Sequence, residues 1–151
     1  MCYRATTVRE WLSRRGVIVL AAVTALTLFA AEKTPYNSLA ALASALSQSD
    51  ADGALEFFDS NMASFADIEK KIEALTAQDD ISCSIDVVSD TETNGAHKLD
   101  LDWFMQIKSQ GDSEQLERRR ERVQVEMRQV KGAWKITSMT PLSVLDPIAI
   151  K

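Results

Sequence analysis

The spacing of apolar positions changes once along the chain. From Asn37 to Ser47, Leu39, Leu42, Ala43 and Leu46 recur at helical spacing and predict a first helix. Asp50 then stands as the N-cap of a second, with Leu55, Phe58 and Met62 on one face. Ser64 followed by Asp67 has the form of a capping box, and Phe65, Ile68, Ile72 and Leu75 behind it line a third helix. After Asp79-Asp80 the period becomes two. Ile81, Cys83, Ile85 and Val87 alternate with Ser82, Ser84 and Asp86, and Asn94-Gly95 marks a turn. His97, Leu99, Leu101, Trp103, Met105 and Ile107 alternate with Lys98, Asp100, Asp102, Phe104, Gln106 and Lys108. Gly111-Asp112 turns the chain again, Val123, Val125 and Met127 carry the third alternation, and Lys131-Gly132 leads into Ala133–Thr140, stopped by Pro141.

The predicted strands can be checked against one another. A two-residue turn at Lys131-Gly132 pairs Val130 with Ala133, hence Gln129 with Trp134 and Met127 with Ile136, so Met127, Trp134 and Ile136 share the inward face. Setting the second and third strands so that both apolar sets face inward puts Asp100 and Asp102 outside, beside Arg120 and Arg122. It also places Trp103 near Glu121 and His97 beside Met127. The expected fold is α+β: three helices packed on a four-stranded antiparallel meander with one apolar face.

This order of elements resembles the nuclear transport factor 2-like superfamily (SnoaL-like, cystatin-like cone). The resemblance is carried by Ser49-Asp-Ala-Asp-Gly-Ala-Leu-Glu-Phe-Phe-Asp59, where a helix restarts after a polar break, and by the closing Lys131-Gly-Ala-Trp-Lys-Ile-Thr137. It covers residues 37–147, after a linker at 32–36 and before a short tail at 148–151. It implies a curved, cone-like sheet with a pocket between helices and sheet, used by different members for isomerase, cyclase or dehydratase chemistry, for dimerisation or for non-catalytic docking. Its enzymes carry an Asp or an Asp–His pair in the pocket as general base, often with a Tyr as oxyanion donor.

Charge divides the chain. The net charge is −5, but residues 1–31 hold four arginines against one glutamate, leaving −8 for the rest. An acidic body repels phosphate backbones, which argues against nucleic acid as a partner. The basic start precedes an apolar run, Gly16–Ala31, with the form of an export signal. The run is short for a membrane span, yet Leu28 or Phe29 makes a mediocre cleavage site, so cleaved signal and retained anchor both stand. Ser13-Arg14-Arg15 resembles a twin-arginine route signal. In either case the body is expected outside the cytoplasm, touching the membrane only through residues 16–31. Beyond this segment Cys83 is the one cysteine, so no disulfide staples the domain, and its alternation with serines reads as a buried strand position.

Candidate chemistry is sparse. His97, the one histidine, has inward parity at the entrance to the second strand, as a pocket-mouth residue or as a solvated strand-start histidine with no evident partner. Glu121 has inward parity near Trp103, where an indole could raise its pKa; Glu117 and Arg119 share that parity, and all three could equally lie in water. Trp103, Glu121 and His97 are therefore the candidate pocket-lining residues, with no catalytic residue assigned. Tyr36 reads as a packing residue. Arg118-Arg119-Arg120-Glu121-Arg122 reads as a cross-strand-paired solvated face rather than an anion site. No Gly-rich phosphate loop, nucleophile elbow, CxxC or paired-histidine spacing is present, so neither metal nor cofactor is expected. Two functions follow. One is a non-catalytic extracytoplasmic binding or scaffold domain for a protein partner or a small apolar ligand, with homodimerisation open. The other is a small cofactor-free isomerase, lyase or cyclase using a pocket carboxylate.

Overall fold

In the computed structural model, which describes residues 33–109 and 115–149, the chain turns helical two residues ahead of the expected start. Thr34 Oγ1 accepts the Asn37 amide at 3.2 Å and Pro35 fills the first turn, so helix α1 spans Pro35–Ser47. The expectations for residues 1–31 lie outside the described residues. Helix α2 is Ala51–Leu55, capped by the Asp50 carboxylate 2.9 Å from the Gly53 amide. It is shorter than the helix expected through Phe58 and Met62. The backbone leaves α2 because it bonds elsewhere: Ile136 N donates to Phe57 O at 2.8 Å and Asp59 N donates to Ile136 O at 2.9 Å. Phe58 reaches the core by this route, in a parallel bridge to the last strand. Helix α3, Phe65–Gln78, buries Ile68, Ile72 and Leu75 completely.

Strands β1 (Asp79–Thr93), β2 (Ala96–Ser109), β3 (Leu116–Val130) and β4 (Ala133–Thr140) form an antiparallel sheet in sequence order. Both tight turns hold two consecutive residues at positive φ, Asn94 at 52° with Gly95 at 74°, and Lys131 at 51° with Gly132 at 80°. This is the turn whose twist matches its flanking strands, and glycine carries the second position without a Cβ penalty. The registers follow the turns: His97 lies opposite Met127, Trp103 opposite Glu121, Met127 opposite Ile136 and Val130 opposite Ala133.

Two bulges interrupt the alternation. Val87 pairs with Leu101 and Ser89 with Asp100, leaving Val88 extra in β1. In β4, Ile136 pairs with Met127 and Ser138 with Glu126, leaving Thr137 extra. A bulge re-aims every side chain beyond it. Val87 keeps its inward register opposite Leu101 yet is 36% exposed at the edge of the core, and the inserted Val88 is 50% exposed. One core lies between the helices and the inner sheet face, with Leu39, Leu42, Leu46, Ile72, Leu101, Trp103, Met105 and Met127 almost wholly buried. Each such side chain contributes about 1.5–3 kcal/mol relative to exposure.

Candidate functional site

The inside of the cone is filled. Leu101, Trp103, Met105, Ile107, Val123, Met127 and Ile136 have no exposed surface, and the helices close over them with Leu42, Leu46, Ile68 and Leu75. The Trp103 indole N–H is buried without a hydrogen-bond partner. Cys83 is half-buried, yet burial pushes its thiol up to about 12, weakly opposed by that indole. Among the surface concavities of the described residues, four of roughly 400–620 Å³ are lined by none of Trp103, Glu121 and His97.

The chain after β4 closes the remaining gap. Pro141 follows Thr140 through a cis peptide, a single 3-10 turn spans Ser143–Leu145 with Val144 and Leu145 buried against α3 and β3, and Ile148 is buried beyond it. Polar groups fasten this strap. Arg119, whose side chain is only 12% exposed, donates from Nη1 to the carbonyls of Val144 at 3.2 Å and of Asp146, with Ser143 O at 3.5 Å. Its Nε meets Glu117 Oε1 at 2.5 Å. Ser143 Oγ donates to Glu121 Oε2 at 2.8 Å, and Lys71 pairs with Asp146. Arg119 and Glu121 therefore serve the strap, and Arg119 does not stand in water.

A second cluster lies at the far rim. The β1 bulge turns Asp90 to the inner face, where both carboxylate oxygens meet His97 Nδ1, at 2.9 and 3.0 Å. Tyr36 on α1 donates its phenol to Asp90 Oδ2 at 2.5 Å. Trp134 on β4 meets the His97 ring edge-on, with centroids 5.0 Å apart, and its Nε1 donates to Lys33 O at 2.8 Å. The cluster ties the start of α1 to β1, β2 and β4. Burial pushes the Asp90 carboxyl upward, but hydrogen bonds from Tyr36 and His97 and the histidine's charge together hold it below the ordinary value. The hydrogen bond to Asp90, with some desolvation and the carboxylate's charge, raises the Tyr36 phenol. His97 thus has a partner that unbroken alternation hid, and Tyr36, 46% exposed, makes a polar tie. His97 is six residues along the ladder from the row of Trp103 and Glu121, about 20 Å at strand rise, so the three candidates do not form one site.

No family model and no curated protein matches the sequence. Solved structures do match it. A protein of unknown function from Mycobacterium tuberculosis superposes with a TM-score of 0.57 at 9% identity, over 69% of this chain and 66% of that one. A candidate aromatic ring hydroxylase from Novosphingobium aromaticivorans gives 0.55 at 12% identity, over 74% and 93%. A candidate dehydratase from the NTF2-like family of Streptomyces avermitilis gives 0.52 at 13%, over 69% and 90%. The fold is NTF2-like.

On this NTF2-like sheet the outer face is charged and cross-paired. Arg120 grips Asp102 through Nε at 3.0 Å and Nη2 at 2.6 Å, which holds the Asp102 carboxyl below its ordinary value and raises the Arg120 guanidinium. Arg118 Nε donates to Gln106 at 3.3 Å and Arg128 pairs with Glu126 at 2.7 Å. No helix among the described residues is long and apolar enough to cross a membrane, and no group of three metal-ligating side chains occurs among them.

Proposed function

We propose that this chain is a non-catalytic binding or scaffold domain acting outside the cytoplasm, engaging a protein partner or a small apolar ligand through its surface. The observation that supports this is the filled cone. The space in which an NTF2-like fold would hold a substrate is occupied by Trp103, Met105, Ile107 and Met127, and the gap between α3 and β3 is covered by Val144 and Leu145. No carboxylate or imidazole lies among these buried side chains, so acid–base catalysis has no group within reach of a substrate there. The export reading rests on the basic-then-apolar start of the sequence. A screen of the full-length chain against enolisable and dehydratable small molecules is expected to show no turnover that Glu121→Gln or His97→Gln abolishes. A reporter fused after Lys151 is expected to work only outside the cytoplasm. Turnover lost in either variant, or a reporter active only inside the cell, would remove the corresponding half of the proposal.

A second reading, a cofactor-free isomerase or lyase, has one specific observation in its favour. His97 Nδ1 lies 2.9 and 3.0 Å from the two Asp90 carboxylate oxygens, a contact that orients the ring as a general base requires. The descriptions of two structural neighbours as a candidate dehydratase and a candidate hydroxylase are compatible with it. Against it, neither His97 nor Asp90 lines any of the four concavities, and Trp134, which does line one, stands against the imidazole.

A further inference from the structure

The sheet has an edge that its last strand stops short of covering. Strand β4 ends at Thr140, opposite Gln124, and the chain then leaves the sheet for the strap. Strand β3 begins eight residues earlier, at Leu116, so residues 116–123 have β2 on one side and no strand on the other among the described residues. Ser109 N donates to Gln115 O at 3.0 Å, which marks the odd residues of β3 as those that bond back to β2. The even residues Arg118, Arg120 and Arg122 therefore turn N–H and C=O toward the free side, as Gln124 and Glu126 turn theirs toward β4. No backbone group among the described residues pairs with those three on that side. A row of unpaired donors and acceptors is a template for one more strand. Where β4 ends, an open concavity of about 410 Å³ lies against Arg122, Thr140 and Pro141.

The side chains along this edge select what can pair with it. Arg118, Arg120 and Arg122 are all exposed on the outer face. Arg120 is held by Asp102, but Arg118 bonds only the neutral Gln106, and Arg122 makes no ion pair among the described residues. The carboxylates of Asp100 and Asp102 lie one strand back and that of Asp86 two, so an added strand meets the guanidiniums first. A second copy presenting the same edge would set arginine against arginine, which like-charge repulsion opposes. A strand with a carboxylate at every second residue would instead place one opposite each arginine in turn. At the far end Leu116, 53% exposed, offers that strand an apolar contact. We propose that the free edge of β3 is a docking site for an extended acidic segment of a partner protein, added as a fifth strand in line with β4. The proposal rests on the reading of this chain as a surface-binding domain and names the chemistry of its partner.

The test is a backbone-amide NMR titration of the full-length chain with three peptides. The first is acetyl-Thr-Glu-Thr-Glu-Thr-Glu-Thr-Val-amide, the second carries lysine for each glutamate, and the third is the acidic peptide N-methylated at each glutamate. The acidic peptide is expected to shift the amides of residues 116–122 saturably and to slow hydrogen exchange at Arg118, Arg120 and Arg122. The other two are expected to do neither, since one lacks the complementary charge and the other the strand hydrogen bonds. Arg118→Glu combined with Arg122→Glu is expected to weaken binding of the acidic peptide about tenfold. Arg128→Glu, on the same strand but beside β4, is expected to bind as the wild type does. A thermal melt confirms that the variants fold, and the comparison of the three peptides on the wild type does not depend on them. Absence of saturable shifts with the acidic peptide, or equal binding of either control peptide, would overturn the proposal. Shifts of these amides with protein concentration alone would overturn it too, because they would mark the edge as a contact between copies of the chain. Turnover in the small-molecule screen would instead remove the reading beneath it, so the two failures are distinguishable.

Discussion

Arg119→Met tests whether the strap is a fastened part of the core. Methionine retains much of the aliphatic stem and removes the guanidinium, so the carbonyls of Val144 and Asp146 lose their donor while Glu117 loses its partner. Hydrogen bonds from a charged group contribute about 1.5–3 kcal/mol, and breaking a mostly buried ionic cluster costs about 3–5. One guanidinium serves all of these acceptors and Glu117 is 40% exposed, so the expected loss lies near the lower figures, about 3 kcal/mol. For a domain of this size that is a fall in Tm of roughly 10 °C. Urea denaturation gives the energy, and hydrogen exchange at residues 142–148 shows where the domain opens. A cycle with Leu145→Ala isolates the mechanism. Leu145 is wholly buried, so its truncation alone costs about 2–5 kcal/mol. If Arg119 acts by holding the strap, its substitution costs much less once Leu145 is gone. Full additivity of the two, or an Arg119→Met loss below about 0.5 kcal/mol, would refute the strap account.

Asp90→Ala removes the acceptor shared by Tyr36 and His97 and is expected to cost about 1 kcal/mol near neutral pH, measured by urea denaturation. Its depressed folded pKa makes the wild-type advantage full above the ordinary aspartate value of 3.8 and lost as pH falls through the lower folded value. The raised Tyr36 phenol works oppositely: its contribution is full below 10.0 and lost as pH rises through the higher folded value, so the gap between wild type and variant should narrow at both extremes. A Cβ on Gly53 would lie 2.2 Å from Asp50 Oδ2, so Gly53→Ala displaces the cap of α2. Asp50→Ala is then expected to cost about 1 kcal/mol in the wild type and almost nothing in Gly53→Ala, by thermal denaturation of the four-member cycle. With its thiol pushed up to about 12, Cys83 in a Cys2→Ser background should react with a thiol reagent at pH 8 far more slowly than a free thiol; labelling at the rate of a free thiol would contradict its shielding.

The sheet was legible because its turns are short. Lys131-Gly132 admits one two-residue geometry, and from it the pairing propagates residue by residue to Met127–Ile136, while Trp103–Glu121 could be paired because the apolar sets of β2 and β3 must face the same side. The reading failed where the ladder changes phase. Val88 inserts one residue, reverses the parity of Asp90 and brings it to His97 and Tyr36, so the polar cluster at the rim was invisible to unbroken alternation. A trace of it existed: two adjacent valines, Val87-Val88, cannot both belong to one face of a regular strand. The second helix was overextended because Leu55 and Phe58 are three residues apart, a spacing that suits a helix as well as the bridge that Phe58 makes with Ile136. The role of Arg119 depends on residues 24 to 27 positions downstream, and no local pattern reports a contact at that distance.

The strap and the packed cone together favour the proposed surface recognition over chemistry inside the domain. A cone that admits substrate must keep a void, and an unfilled void costs about 24 cal/mol per Å³. Here the corresponding volume is packed with side chains, and Val144 and Leu145 cannot leave it without exposing both and breaking the ties to Arg119, Glu121 and Lys71. Apolar burial alone sets that opening at about 3–6 kcal/mol for the two residues, before any ligand contact is made. A ligand entering the cone would lose at least two orders of magnitude in affinity to this opening. The outer face, where Lys98, Gln124, Ser138 and Thr140 are exposed, has no buried strap to displace. Recognition through the surface, as proposed, would therefore avoid the opening cost that a ligand inside the cone would meet.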